Sequence, residues 1–256
     1  MSEHILAIQN TFIMTTYLRR YWIIPLSLLL GVFVGLPLLA PVLMHIGWDR
    51  LARIIYFIYS WTCHQLPERS FFFFGSRLTY SMAEIQNAWY VSSDPAILRQ
   101  FIGNPGMGWK VAWSDRMVSM YTSLWLFGIL WWPFRRKLKT LPWLGLILFL
   151  MPMAVDGTSH FLSDLSGIGL GFRDNNLWLA VITRHILPEA FYIGDAWGSF
   201  NSLMRLLTGL MFGFGLVWYT YPYFEKLFNP GSQYMGKDVI RLQTKTNENL
   251  THEPKE

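Results

Sequence analysis

Cys63, His64 and Gln65 stand in a row, and Glu68, Arg69 and Ser70 follow closely. A thiol, an imidazole and a guanidinium in so short a stretch can line a polar pocket, or serve as a cysteine nucleophile activated by histidine. Neighbouring residues on a helix point about 100° apart, so Cys63 and His64 are poorly placed to pair directly. A thiol packed among apolar groups, with His64 fixed by a backbone carbonyl, fits the same residues. A second group is Asp156, His160 and Asp164, spaced four apart. On a helix they form one stripe, and two carboxylates with an imidazole can hold a divalent metal, with His64 as a further ligand. Gly157 interrupts helix propensity there, and a hydrogen-bonded helix cap explains the stripe equally well. Asn201 and Arg205 repeat the four-residue spacing, and Asp115 and Arg116 are adjacent. Arginine's planar fork suits an anionic ligand, so Arg69, Arg116 and Arg205 are candidates for recognising one.

Such groups need elements to hold them, and the composition says which. The chain has 256 residues, of which 52% are hydrophobic and only 14% charged. Soluble domains carry roughly 25% charged residues, so a membrane protein is expected. The 13 Trp and 12 Tyr fit this, because both concentrate where lipid meets water. The net charge of +5 comes from short basic clusters beside apolar segments, which orients a membrane protein and does not call for nucleic acid. Cys63 is the only cysteine, which excludes an intramolecular disulfide and a multi-thiolate zinc site. No phosphate loop, dinucleotide fingerprint or His-Glu-x-x-His motif occurs.

Apolar stretches at about 22–46, 117–134, 141–155 and 203–223 read as four spans, several near the lower length limit for crossing a bilayer. A fifth, 51–62, is too short and reads as a re-entrant or interfacial segment. With four crossings, Arg19-Arg20, the Arg135–Lys139 cluster and Lys226 onward all fall on the cytoplasmic side, as does a polar tail at 231–256. Both termini are then cytoplasmic, and residues 1–230 form a single membrane domain of all-α class. The polar groups gather on the extracytoplasmic side, in or beside connections 48–116 and 157–201. Asp94 and Pro95 can start a short helix that Gly103 ends, and Asn104-Pro105-Gly106 signals a turn. Asn176 to Leu187 places Leu179, Ile182 and Ile186 at helical spacing, as on an amphipathic helix lying on the membrane or over the site. Gly31/Gly35 and Gly209/Gly213 are small-xxx-small pairs that allow close helix approach, within the chain or to a partner. Arg205, one turn into its span, is expected to pair with Asp156 or Asp115 or to reach toward headgroups.

Together these blocks resemble domain-of-unknown-function family 2085. Cys63-His64-Gln65 with Glu68-Arg69-Ser70-Phe71-Phe72 is similar to its opening signature. Gly108 to Ala112 leading to Asp115-Arg116 and Tyr121 resembles its second block; Met153 to Gly157 with Asn201 to Gly209 resembles its last. The resemblance implies a multi-span protein of a prokaryotic plasma membrane with these polar blocks brought together, and supplies no activity or cofactor. Relatives often carry cysteine just before the arginine of the second block, where this chain has Trp113-Ser114-Asp115, which weakens any paired-cysteine chemistry. They also tend to carry glutamine near His160, which favours hydrogen bonding over metal ligation. Ile168 to Trp197 looks like an expansion suited to a partner.

Two functions are therefore expected. One is a membrane subunit or binding or assembly factor, with a site of Cys63, His64, Gln65, Arg69, Asp115, Arg116, Asn201 and Arg205 that recognises a lipid or anionic amphiphile. The other is a membrane-embedded hydrolase or transferase using Asp156, His160 and His64, with or without a metal on Asp156, His160 and Asp164. A small transporter is a weaker third, since four spans without an internal repeat give no pathway through one protomer.

Overall fold

The computed structural model describes residues 20–229; the expected tail at 231–256 lies outside them. Four long helices run alternately up and down: α1 (Ile23–His45), α5 (Asp115–Phe134), α6 (Trp143–Asp164) and α10 (Phe200–Phe228). Of these, α1, α6 and α10 are long and apolar enough to cross a membrane. The less apolar α5 packs against α1 and α10 and leaves Leu126, Ile129, Leu130 and Phe134 exposed. The outward faces of α1 and α6 carry exposed Leu28, Leu29, Val32, Leu148 and Val155, as a lipid-facing surface requires.

Small residues set the spacing of α5 and α10. A Cβ added at Gly209 would lie 2.0 Å from Ser119 Oγ, and one at Gly213 would lie 2.0 Å from Ser123 Oγ. That glycine face is filled by α5 of the same chain. Gly31 faces the Trp125 ring, while Gly35 faces open space.

The short α2 (Asp49–Tyr59) buries Ala52, Ile55, Tyr56 and Tyr59, one helical stripe, and exposes Ile54, Phe57 and Ile58. The fold is mostly helical but not all-α, which corrects the expectation from sequence. Strands β1 (Ser70–Phe73), β2 (Gly103–Asn104) and β3 (Gly108–Ser114) form an antiparallel sheet in the order β1-β3-β2. The strands are hard to read because Val111, Ala112 and Trp113 are all buried, so period-two alternation is missing. Asn104 Oδ1 accepts from the Gly106 and Met107 amides and closes the turn between β2 and β3. Asp94 caps α4 (Pro95–Leu98), which ends before Gly103. The remaining short helices are α3 (Met82–Ala88), α7 (Phe172–Asn175), α8 (Leu177–Ile182) and α9 (Glu189–Tyr192). The expected helix over 176–187 is therefore cut to the six residues of α8, after Asn176 in a left-handed conformation.

The sheet and connections cover one end of the bundle, where α5 and α10 begin and α6 ends. At the other end, Trp22 Nε1 donates to Glu225 at 2.8 Å, and Arg135, Arg136, Lys137 and Lys139 lie between α5 and α6.

Candidate ligand-binding site

The polar groups at the covered end form a continuous network of arginine and aspartate. Arg205 lies one turn into α10 and is 2% exposed. Its Nε and Nη2 grip both carboxylate oxygens of Asp115 at 2.7 and 2.9 Å. Its Nη1 donates to Asp195 Oδ1 at 2.5 Å, and Nη2 also donates to the Asp195 carbonyl. Arg69 donates through Nε to the other Asp195 oxygen at 2.8 Å. Its Nη1 and Nη2 each reach an oxygen of Asp164 at 2.7 Å. Planar forks facing carboxylates satisfy both charges, which makes burial at this depth tolerable.

A second cluster adjoins it through the Asp115–Arg116 pair. Arg116 Nη2 donates to Asp156 Oδ2 at 2.6 Å, and Arg173 Nη2 donates to Asp156 Oδ1 at 2.9 Å. Arg173 also donates to Ser159 Oγ and Asn201 Oδ1. Its Nη2 lies 3.2 Å from His160 Nε2. Guanidinium can only donate, so His160 Nε2 accepts and the ring proton sits on Nδ1, which is buried and has no partner. Asn201 donates to the carbonyls of Arg173 and Gly194 and so pins the 168–197 connection to α10.

Around this network lies a cavity of about 310 Å³. Cys63, His64, Gln65, Arg69, Arg116, His160, Asp164 and Arg205 line its polar side; Met117, Phe161, Leu165 and Ile168 contribute to its apolar side. Eight of the residues singled out from sequence thus meet at one cavity, while Asp115, Asp156 and Asn201 stand behind its wall. Cys63 lies on a loop, and its sulfur accepts from the Gln65 amide at 3.3 Å and the Ser114 amide at 3.4 Å. Gln65 has a φ of 54°, a strained conformation for a side chain of its size. Its carbonyl accepts from the buried Lys110 Nζ at 2.7 Å, and its side chain donates to the Tyr56 carbonyl. His64 is exposed and makes no hydrogen bond to Cys63, so the two do not form a nucleophile–base pair.

The expected metal stripe falls on one face of α6, with Asp156 Oδ1 and His160 Nε2 3.9 Å apart. Its carboxylates, however, are held by arginines: Asp156 by Arg116 and Arg173, Asp164 by Arg69. Among the described residues no three His, Cys, Asp or Glu side chains form a metal-holding group. Asp156, His160 and Asp164 thus serve ion pairs and a hydrogen bond with arginines in this structure.

Electrostatics outside the helices follow the same pairing. Burial works against the charge on Asp195, yet the Arg69 and Arg205 guanidiniums hold its carboxyl well below the usual range. Glu68 is different. It is 3% exposed, neither carboxyl oxygen has a hydrogen-bond partner, and Arg69 Nε is 3.9 Å away. Burial pushes its carboxyl up to about 7, against the pull of Arg69. Burial likewise draws the Lys110 ammonium down to about 7.

Arg173 and Asp195 are missed by sequence reasoning. Both lie in the 168–197 connection, outside any helix long enough to show a periodic face. The available signal is that each is a charge amid aromatic and small residues, in Gly171-Phe172-Arg173 and Gly194-Asp195-Ala196-Trp197.

Helices of this length and apolarity, with large apolar side chains facing outward, define a membrane-spanning protein. Residues 106–219 match the family described as predicted membrane protein, domain of unknown function 2085, so the resemblance is shown. The matched stretch contains the second and last blocks; the Cys63 block precedes it. An uncharacterized protein of Methanocaldococcus jannaschii is 27% identical over 221 residues, covering 82% of this chain and 97% of that one. No solved structure matches.

Proposed function

We propose that this multi-span membrane protein binds an anionic amphiphile in the cavity beside Arg116, as a membrane subunit or as a binding or assembly factor. The observation that carries this reading is the unequal use of the arginines. Arg69, Arg173 and Arg205 each commit three guanidinium nitrogens to partners. Arg116, on the cavity wall, commits only Nη2, and it shares Asp156 with Arg173. Arg116 and Arg173 share the one carboxylate of Asp156, and the uncommitted Nη1 of Arg116 favours an oxyanion. The apolar wall supports a hydrocarbon tail. Phe161 on α6, a candidate span, and Leu165 just after it are 64% and 69% exposed, so the cavity opens toward the lipid-facing surface. The hydrolase reading is weaker, because Asp156 already accepts two charged donors and is a poor base.

We place the cavity on the extracytoplasmic side. Its end of the bundle is opposite the Arg135–Lys139 cluster, and the positive-inside rule assigns that cluster to the cytoplasm. In this topology α5 is a crossing as well, the second of four along the chain, and the membrane is a prokaryotic plasma membrane.

Cys63 gives a direct test, since it lines the cavity and is the only thiol. In nanodiscs of zwitterionic lipid, dodecyl phosphate should slow alkylation of Cys63, and dodecanol should not. Arg116→Gln should weaken that protection roughly ten- to a hundredfold, as expected for loss of a charge-assisted hydrogen bond of ~1.5–3 kcal/mol. Equal protection in Arg116→Gln, or none in the parent, overturns the proposal.

A further inference from the structure

The opposite end of the bundle holds a second arrangement that the cavity near Arg116 does not use. Between α5, the turn after it and the end of α10 lies a cavity of about 350 Å³ lined by Arg135, Arg136, Lys139, Lys226 and Glu225. Arg136, Lys139 and Lys226 pair with no carboxylate among the described residues. Glu225, the single acid, is already engaged by Trp22 Nε1 at 2.8 Å and by Arg135 at 3.6 Å. Arg135 is held flat over the Trp132 ring at 3.9 Å, with Nη1 on the Trp132 carbonyl. Arg135 is therefore fixed in place, and the cavity carries four cations against one acid.

A second cavity of about 330 Å³ adjoins it, and Leu138 lines both. This one is almost wholly apolar. Phe127, Leu130 and Phe134 of α5 form one side; Phe214 and Trp218 of α10 form the other. Phe127 to Phe134 spans about 10 Å along the helix axis, so the groove runs along the bundle toward its middle. Trp218 Nε1 donates to the Lys139 carbonyl at 2.9 Å and ties the groove wall to the basic turn.

We propose that the basic cavity and the apolar groove together form a binding site for one anionic phospholipid, with its phosphate among Arg136, Lys139 and Lys226 and an acyl chain between α5 and α10. The order of the two cavities along the bundle matches the order of headgroup and chain in a leaflet, and the charge surplus selects an anionic headgroup. This site does not depend on the reading of the Arg116 cavity, only on the helices crossing a bilayer.

The test uses the full chain, delipidated in detergent and titrated by native mass spectrometry. Phosphatidylglycerol should bind more tightly than phosphatidylcholine of the same chains. Each nearby cation contributes about fivefold in affinity at a membrane surface, so Arg136→Gln/Lys139→Gln should weaken phosphatidylglycerol roughly 25-fold and leave phosphatidylcholine unchanged. Lys226→Gln, a single change at the exposed helix end, should give about a fivefold loss and serves if the double variant does not fold. Glycerol phosphate at the same concentration should not compete. Arg116→Gln should leave phosphatidylglycerol binding as it is, which separates this site from the other cavity. Equal affinity for the two lipids, or unchanged affinity in the basic variants, overturns the proposal. Full competition by glycerol phosphate also overturns it, in favour of a soluble-phosphate site.

Discussion

Each buried charge in the network is compensated by a partner it cannot easily replace. Asp115→Asn removes one of the two carboxylates that Arg205 engages and should destabilise the protein by about 1–3 kcal/mol, because the buried guanidinium keeps only the charge of Asp195. Thermal unfolding in detergent measures this. Glu68 makes the opposite case. Its folded carboxyl titrates at about 7 and its ordinary value is 4.5. Below about 4.5 the side chain is protonated in both states and adds no pH dependence. From there to about 7 the unfolded carboxyl ionises first, so the contribution falls with rising pH, by on the order of 3 kcal/mol in all. Glu68→Gln should remove that slope and raise the melting temperature at pH 8 over the parent. Such detail was partly legible from the residues themselves. A charge set into an apolar segment announces a partner; for Arg205 the sequence offers Asp156 or Asp115, and the structure pairs it with Asp115. Which carboxylate joins which arginine depends on Arg173 and Asp195, and no local pattern marks these.

Helix spacing sets the positions of those charges. Gly209 and Gly213 let α10 approach Ser119 and Ser123 of α5 closely, and the same approach brings Arg205 to Asp115. Gly209→Ala should cost about 1–3 kcal/mol by overpacking. Ser119→Gly in the same chain should restore part of the loss, because Ser119 Oγ is the nearest atom to the added methyl. A full recovery or none, read by thermal unfolding, would contradict this contact. At this scale the apolar helices were readable from composition and length, but their ends were not. The sequence places the close of α6 near Val155, where Asp156 and Gly157 look like a boundary. The helix runs on to Asp164 because Arg116 and Arg173 neutralise Asp156, and Gly157 leaves room for Arg116 Nη1. The sheet was not legible, since its central strand is buried on both faces and the Phe71–Phe74 run carries no alternation.

As a whole the molecule has two chemically distinct ends, and that difference can be tested without knowing any ligand. In a Cys63→Ser background, Trp61→Cys and Lys137→Cys place single thiols at exposed positions on opposite ends. A membrane-impermeant maleimide applied to intact cells should label the first, and the second only after the cells are opened. Labelling of both from the same side would refute the crossing pattern. The long sequence distances in the network carry a further consequence. Arg69 meets Asp195 across 126 positions, and Arg205 meets Asp115 across 90. During synthesis the chain therefore leaves the ribosome with Arg69 and Asp115 unneutralised, and Asp164, Asp195 and Arg205 follow much later. The early helices must be sheltered by the insertion machinery until α10 arrives. A nascent chain cut before Phe200 lacks Arg205 and leaves Asp115 without its guanidinium, so quality control should remove it while the complete chain persists.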